Sequence, residues 1–155
     1  MSAVRARAHE VAAPCPSDAS AGLRAAVAML TGPQGPVQRF PVTERRVEFD
    51  GIVELLMLST TPGVDPRDAE QVARAIAAGC LGEQHLWRDL GLPNRGMLRL
   101  ILERYFEPFA ADNVMDMRWK KFIYRRLCRW GGFNTCKAPS CGACPTYEEC
   151  FGAPE

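Results

Sequence analysis

Apolar residues recur along this chain at intervals of three and four and nowhere alternate one for one, so the pattern predicts helices and no sheet. Leu23, Val27 and Leu30 share one helical face behind Ser20, a candidate N-cap, and Gly32-Pro33 ends that segment. The glycines and prolines between 31 and 41 predict a loop. The dense apolar run Val47, Phe49, Ile52, Val53, Leu55, Leu56, Met57, Leu58 predicts a buried helix, with a strand over 52–58 as the alternative. Asp65 as N-cap, Pro66 at the first helical position and Asp68 in the first turn open a helix expected to run to about Cys80. A short helical piece follows over 85–93, ended by Gly91 and Pro93. Asn94 then caps an amphipathic helix carrying Leu98, Ile101, Leu102, Tyr105 and Phe106, which Pro108 closes. The last predicted helix covers 112–130, with Met115, Trp119, Phe122, Ile123, Leu127 and Trp130 on one face and Gly131-Gly132 at its end. Trp87, Trp119 and Trp130 are all expected in the core.

With 155 residues and 47% apolar content, the chain suits one domain with its own core. The expected fold is all-α: a small single-domain helical bundle with a cysteine-rich C-terminal metal-binding loop. Residues 1–18, rich in Ala, Arg and Pro without periodicity, are expected to form a disordered tail; residues 19–155 form the helical domain, with the cluster-binding loop at 131–152. No apolar run approaches the roughly eighteen residues of a membrane span. The first thirteen residues hold no continuous apolar signal segment, so a reducing cytoplasm is expected; the expected state is a monomer. No nucleophile-base pair, phosphate loop or carboxylate dyad stands out, which points to a carrier rather than a turnover enzyme.

A net charge of +1 hides a local imbalance, because the segment 117–147 holds Arg118, Lys120, Lys121, Arg125, Arg126, Arg129 and Lys137 and no acid. On the last predicted helix Arg118, Lys121, Arg125 and Arg129 fall at i, i+3, i+7 and i+11, a stripe facing water, an anion or a partner. Nucleic acid is not the expected partner.

That charge lies beside the cysteines. Of seven, Cys15, Cys80 and Cys128 are scattered, while Cys136, Cys141, Cys144 and Cys150 follow the spacing C-x4-C-x2-C-x5-C. An odd and scattered set is a poor disulfide framework, whereas four clustered thiols are a ligand set for an iron-sulfur cluster or a zinc ion. Zinc ribbons pair two C-x2-C knuckles across a long spacer; here a single C-x2-C has unequal arms and a proline directly after Cys144, closer to iron-sulfur loops. Four thiolates repel one another, and the basic stripe supplies compensating charge. A [4Fe-4S] electron carrier and a zinc-stabilised binding module are the readings these residues leave open. Cys128 and His85 are either packing residues or extra ligands.

The cysteine loop ending Cys150-Phe151-Gly152 is preceded by Asp116-Met117-Arg118-Trp119-Lys120-Lys121-Phe122-Ile123-Tyr124-Arg125-Arg126-Leu127-Cys128 and, upstream, by His85-Leu86-Trp87-Arg88-Asp89-Leu90-Gly91-Leu92. These three ordered motifs, spanning about 82–152, closely resemble the NifQ family. The resemblance implies a Mo-Fe-S cluster protein of nitrogen-fixing bacteria that supplies molybdenum for biosynthesis of the nitrogenase iron-molybdenum cofactor, with the NifEN scaffold and the NifH iron protein as partners. Carried onto this sequence, it makes Cys136, Cys141, Cys144 and Cys150 the metal ligands, with a [4Fe-4S] cluster as precursor or alternative cargo. It leaves His85, Cys128 and Cys150 as candidates to face molybdenum.

Overall fold

Helix α4 (Pro66–Cys80) is the element the others pack around. Its start is local chemistry: Asp65 is extended and its side chain accepts a hydrogen bond from the Arg67 amide at 2.8 Å, while Pro66 needs no amide partner in the first turn. Its second half is buried all round at Ala75, Ile76, Ala77, Ala78, Gly79 and Cys80, and such small side chains let neighbouring backbones close in. A Cβ on Gly79 would lie 2.6 Å from Leu90 Cδ2, so only glycine permits that approach.

The computed structural model describes residues 16–130, 141–145 and 147–152. Around α4 lie α1 (Pro16–Thr31), α2 (Pro36–Arg39), α3 (Arg46–Met57) and α5 (Leu86–Asp89). The chain continues through α6 (Arg95–Tyr105), α7 (Glu107–Ala111) and α8 (Trp119–Trp130), then a 3-10 turn at Cys141–Ala143 and α9 (Tyr147–Phe151). The chain is thus a small all-α domain, with no strand among the described residues. Phe49, Ile52, Leu56, Ile76, Leu98, Ile101, Leu102, Phe106, Phe109 and Ile123 form one fully buried core. At about 1.5–3 kcal/mol each, such side chains dominate the favourable side of folding.

Several boundaries differ from those the pattern predicts. The first helix begins at Pro16, ahead of Ser20; residues 1–15 of the expected tail lie outside the described residues. The loop expected over 31–41 contains α2, started by Pro36 in its first turn. The run from Val47 is helical, not a strand, and its polar side leaves Val47 and Leu58 exposed. Pro108 opens the short helix α7 rather than merely closing α6, because Phe106 breaks the ladder first with φ −137° and ψ 52°.

The largest correction concerns 112–130. Helix starts only at Trp119, since Asn113 clasps Met117 from both sides, its amide Nδ2 donating to the Met117 carbonyl and its Oδ1 accepting from the Met117 amide, each at 2.8 Å. Asp116 sits in the left-handed region at φ 53°. Met115 is therefore in a turn and 55% exposed, and Trp130, at the helix end, is 48% exposed instead of in the core.

Candidate metal centre

Helix α8 is seated by Trp119, Phe122 and Ile123, all buried, with Phe122 packed against Phe109 at 5.0 Å and edge-on to Trp119 at 6.0 Å. The turn before it is fixed from α6: Arg95 grips the Asp116 carboxylate at 3.1 and 3.3 Å and donates to the Met117 carbonyl at 3.1 Å. This leaves Arg118 in a defined place at the mouth of the helix, its carbonyl accepting from the Phe122 amide at 2.9 Å.

Arg118 holds the segment that carries Cys150. Its backbone amide donates to the Cys150 carbonyl at 2.7 Å, its Nε to the Gly152 carbonyl at 3.0 Å and its Nη1 to the Glu149 carbonyl at 3.2 Å. These are the acceptors that a helix C-terminus leaves without intrahelical partners, and a cation there is electrostatically favoured. Lys121 adds an exposed ion pair with Glu149 at 3.8 Å. Tyr147 and Phe151 stack at 4.5 Å along α9, and Cys150 and Phe151 pack half-buried on the core.

The upstream motif meets the same turn. Lys120 Nζ donates to Asp89 Oδ2 at 2.6 Å, to the Gly82 carbonyl at 2.8 Å and to the Gln84 carbonyl at 2.6 Å, and the Gln84 amide donates to that same Asp89 oxygen at 3.0 Å. His85 directly follows, half-buried at the N-cap position of α5. It shares with Trp87, Arg95, Arg118 and Lys120 a small cavity of about 20 Å³, room for little more than a water molecule. Residues 118–120 are thus where the three sequence motifs come together.

Of the predicted ligands, Cys144 and Cys150 are described and half-buried, Cys144 just after the 3-10 turn with its carbonyl accepting from the Tyr147 amide at 3.3 Å. Cys141 begins that turn; its side chain and all of Cys136 lie outside the described residues. Cys128 is half-buried near the end of α8. Among the described residues no three His, Cys, Asp or Glu side chains gather as a ligand set. The basic stripe divides: Arg118 and Lys121 engage α9, Arg125 is half-buried, and Arg129 is exposed.

Cys80 is a different kind of thiol. It is 2% exposed, and burial pushes its pKa up to about 12, which keeps it protonated and unsuited to bind metal. Its carbonyl lies 3.1 Å from the Tyr124 hydroxyl, which donates to Glu48; Arg45 grips that same carboxylate at 2.6 and 2.9 Å. Cys144 and Cys150, by contrast, are only half-buried, and accessible thiols are soft donors that suit soft metal cargo. The spacing of the cysteines gave no hint of the roles of Asn113, Lys120 and Gly152 as structural partners of this region. Of these only Gly152 had a local signal, its place directly after Cys150-Phe151.

Fold and site together define a small helical protein whose C-terminal, thiol-bearing segment is clasped to the cationic start of its last long helix. The NifQ family model matches residues 18–152. The chain is 46% identical over 109 residues to Protein NifQ of Azotobacter vinelandii, covering 70% of this chain and 55% of that one. It is 47% identical over 83 residues to a Protein NifQ homolog of Sinorhizobium fredii (54% and 36% covered) and 40% identical over 89 residues to Protein NifQ of Rhodobacter capsulatus (57% and 49% covered). The chain belongs to the NifQ family. It spans about half the length of the Azotobacter and Rhodobacter relatives and about a third of the Sinorhizobium one. No solved structure matches it. Among the described residues no helix is long and apolar enough to cross a membrane.

Proposed function

We propose that this chain carries a Mo-Fe-S cluster as cargo and supplies its molybdenum for biosynthesis of the nitrogenase iron-molybdenum cofactor. The observation that supports the reading most is the family match running through residue 152, so that it includes all four clustered cysteines, combined with the half-buried placement of Cys144 and Cys150 and the hold of Arg118 and Lys121 on the segment around Cys150. Soft sulfur donors suit an iron-sulfur core, and Cys136, Cys141, Cys144 and Cys150 would hold it. Ligands near the surface allow a partner to take metal by ligand exchange, whereas a buried site would block handover. The recipients in this reading are the NifEN scaffold and the NifH iron protein, and the chain acts as a donor rather than an enzyme, in the cytoplasm.

A donor is dispensable when its cargo is abundant. Cells lacking this protein should fix nitrogen poorly on limiting molybdate and recover on excess molybdate. A block that molybdate cannot relieve would contradict the donor role.

A further inference from the structure

Helix α9 has five residues, too few to persist alone. Arg118 donates to the carbonyls of Glu149, Cys150 and Gly152, to Cys150 by its backbone amide and to the other two by its guanidinium. A guanidinium is a rigid planar fork, so two fixed acceptors define its plane and it defines theirs; an ammonium on a flexible stem cannot reproduce this. The clasp spans 34 residues of sequence, and its base is itself immobilised by Asn113 and Arg95. Gly152 completes the fit, since a Cβ there would lie 2.5 Å from the Glu148 carbonyl oxygen and 3.0 Å from Arg118 Nη2.

We propose that Arg118 is a positioning residue for the Cys150 thiolate: by capping α9 it holds Cys150 ready to bind metal, so ordering this arm need not be repeated at each loading. The inference rests on Cys150 being a ligand, as proposed above. The expected consequence is kinetic. Loss of the clasp leaves every sulfur in place but lets one arm of the ligand set detach, which speeds release of the cargo.

The test uses the full chain loaded anaerobically with iron and sulfide and then challenged with an iron chelator. Arg118→Gln should release iron about tenfold faster or more, the scale on which outer partners of metal ligands act. Arg118→Lys should fall between it and the parent, and Gly152→Ala, which keeps every donor but crowds the guanidinium, should shift in the same direction. Tyr124→Phe removes hydroxyl contacts to Glu48 and Cys80, away from α9, and should lower the melting temperature while leaving the release rate near the parent value. Loading with cobalt instead gives a second readout, in which Arg118→Gln should weaken the thiolate-to-metal absorption. A parent-like release rate in Arg118→Gln, or equal acceleration in Tyr124→Phe, would overturn the positioning role. Should Cys150→Ala keep the full cobalt-thiolate absorption, the ligand assignment itself fails; its loss with an unaffected Arg118→Gln leaves that assignment standing and removes only the clasp.

Discussion

Lys120 Nζ and Asp89 Oδ2 stand 2.6 Å apart, with the carboxylate 6% exposed and the lysine 20%. This pair ties the segment after α4 to the start of α8, and breaking it from one side strands a buried charge. Lys120→Ala should destabilise the fold by about 3–5 kcal/mol, because the buried Asp89 carboxylate then loses the cation that compensates its charge. Urea unfolding monitored by far-UV circular dichroism checks this; a loss below about 1 kcal/mol would place the pair among weak surface contacts.

Tyr124 and Cys80 give the fold a defined alkaline limit. Burial is the first cause of the upward shift in both, aided at Tyr124 by its hydrogen bond to Glu48. A raised pKa means that folding favours the protonated form, so the contribution is complete below the unfolded values of 9.0 for the thiol and 10.0 for the phenol and is lost as pH rises past them. Stability should therefore decline from about pH 9 upward. Tyr124→Phe should cost about 1–2 kcal/mol at neutral pH, through loss of its hydroxyl contacts, and flatten the alkaline decline. An unchanged slope in denaturant titrations above pH 10 would contradict this.

The thiols should separate by reactivity. An alkylating reagent applied to the folded, metal-free chain should modify Cys144 and Cys150 readily and spare Cys80, which is buried and held protonated. Peptide mapping by mass spectrometry reads the order. Labelling of Cys80 at the rate of Cys144 would show that its burial is transient.

How far the sequence carries depends on how local the deciding interactions are. Helix α4 runs from Pro66 to Cys80, as its cap, proline and apolar spacing predict, because each of these signals acts within one or two turns. The segment 112–118 misleads because Asn113 and Arg95 override its helical spacing, and Arg95 acts from 21 residues away. The four-cysteine spacing announces a ligand set by itself. The clasp on Cys150 does not announce itself, because Arg118 looks from sequence like one more cation in a solvated stripe, and only the tertiary fold brings the carbonyls of Glu149 and Gly152 to it. Exposed Trp130 is the converse case: an aromatic on the apolar face of a helix whose end runs past the core.

The most direct test of the carrier reading is elemental analysis of the full chain purified without oxygen from nitrogen-fixing cells, for the parent and for Cys144→Ala. Molybdenum together with iron in the parent, both lost in the variant while helical content is kept, is the result this account predicts. Iron alone would describe an electron carrier, zinc alone a zinc-stabilised module, and either would contradict it.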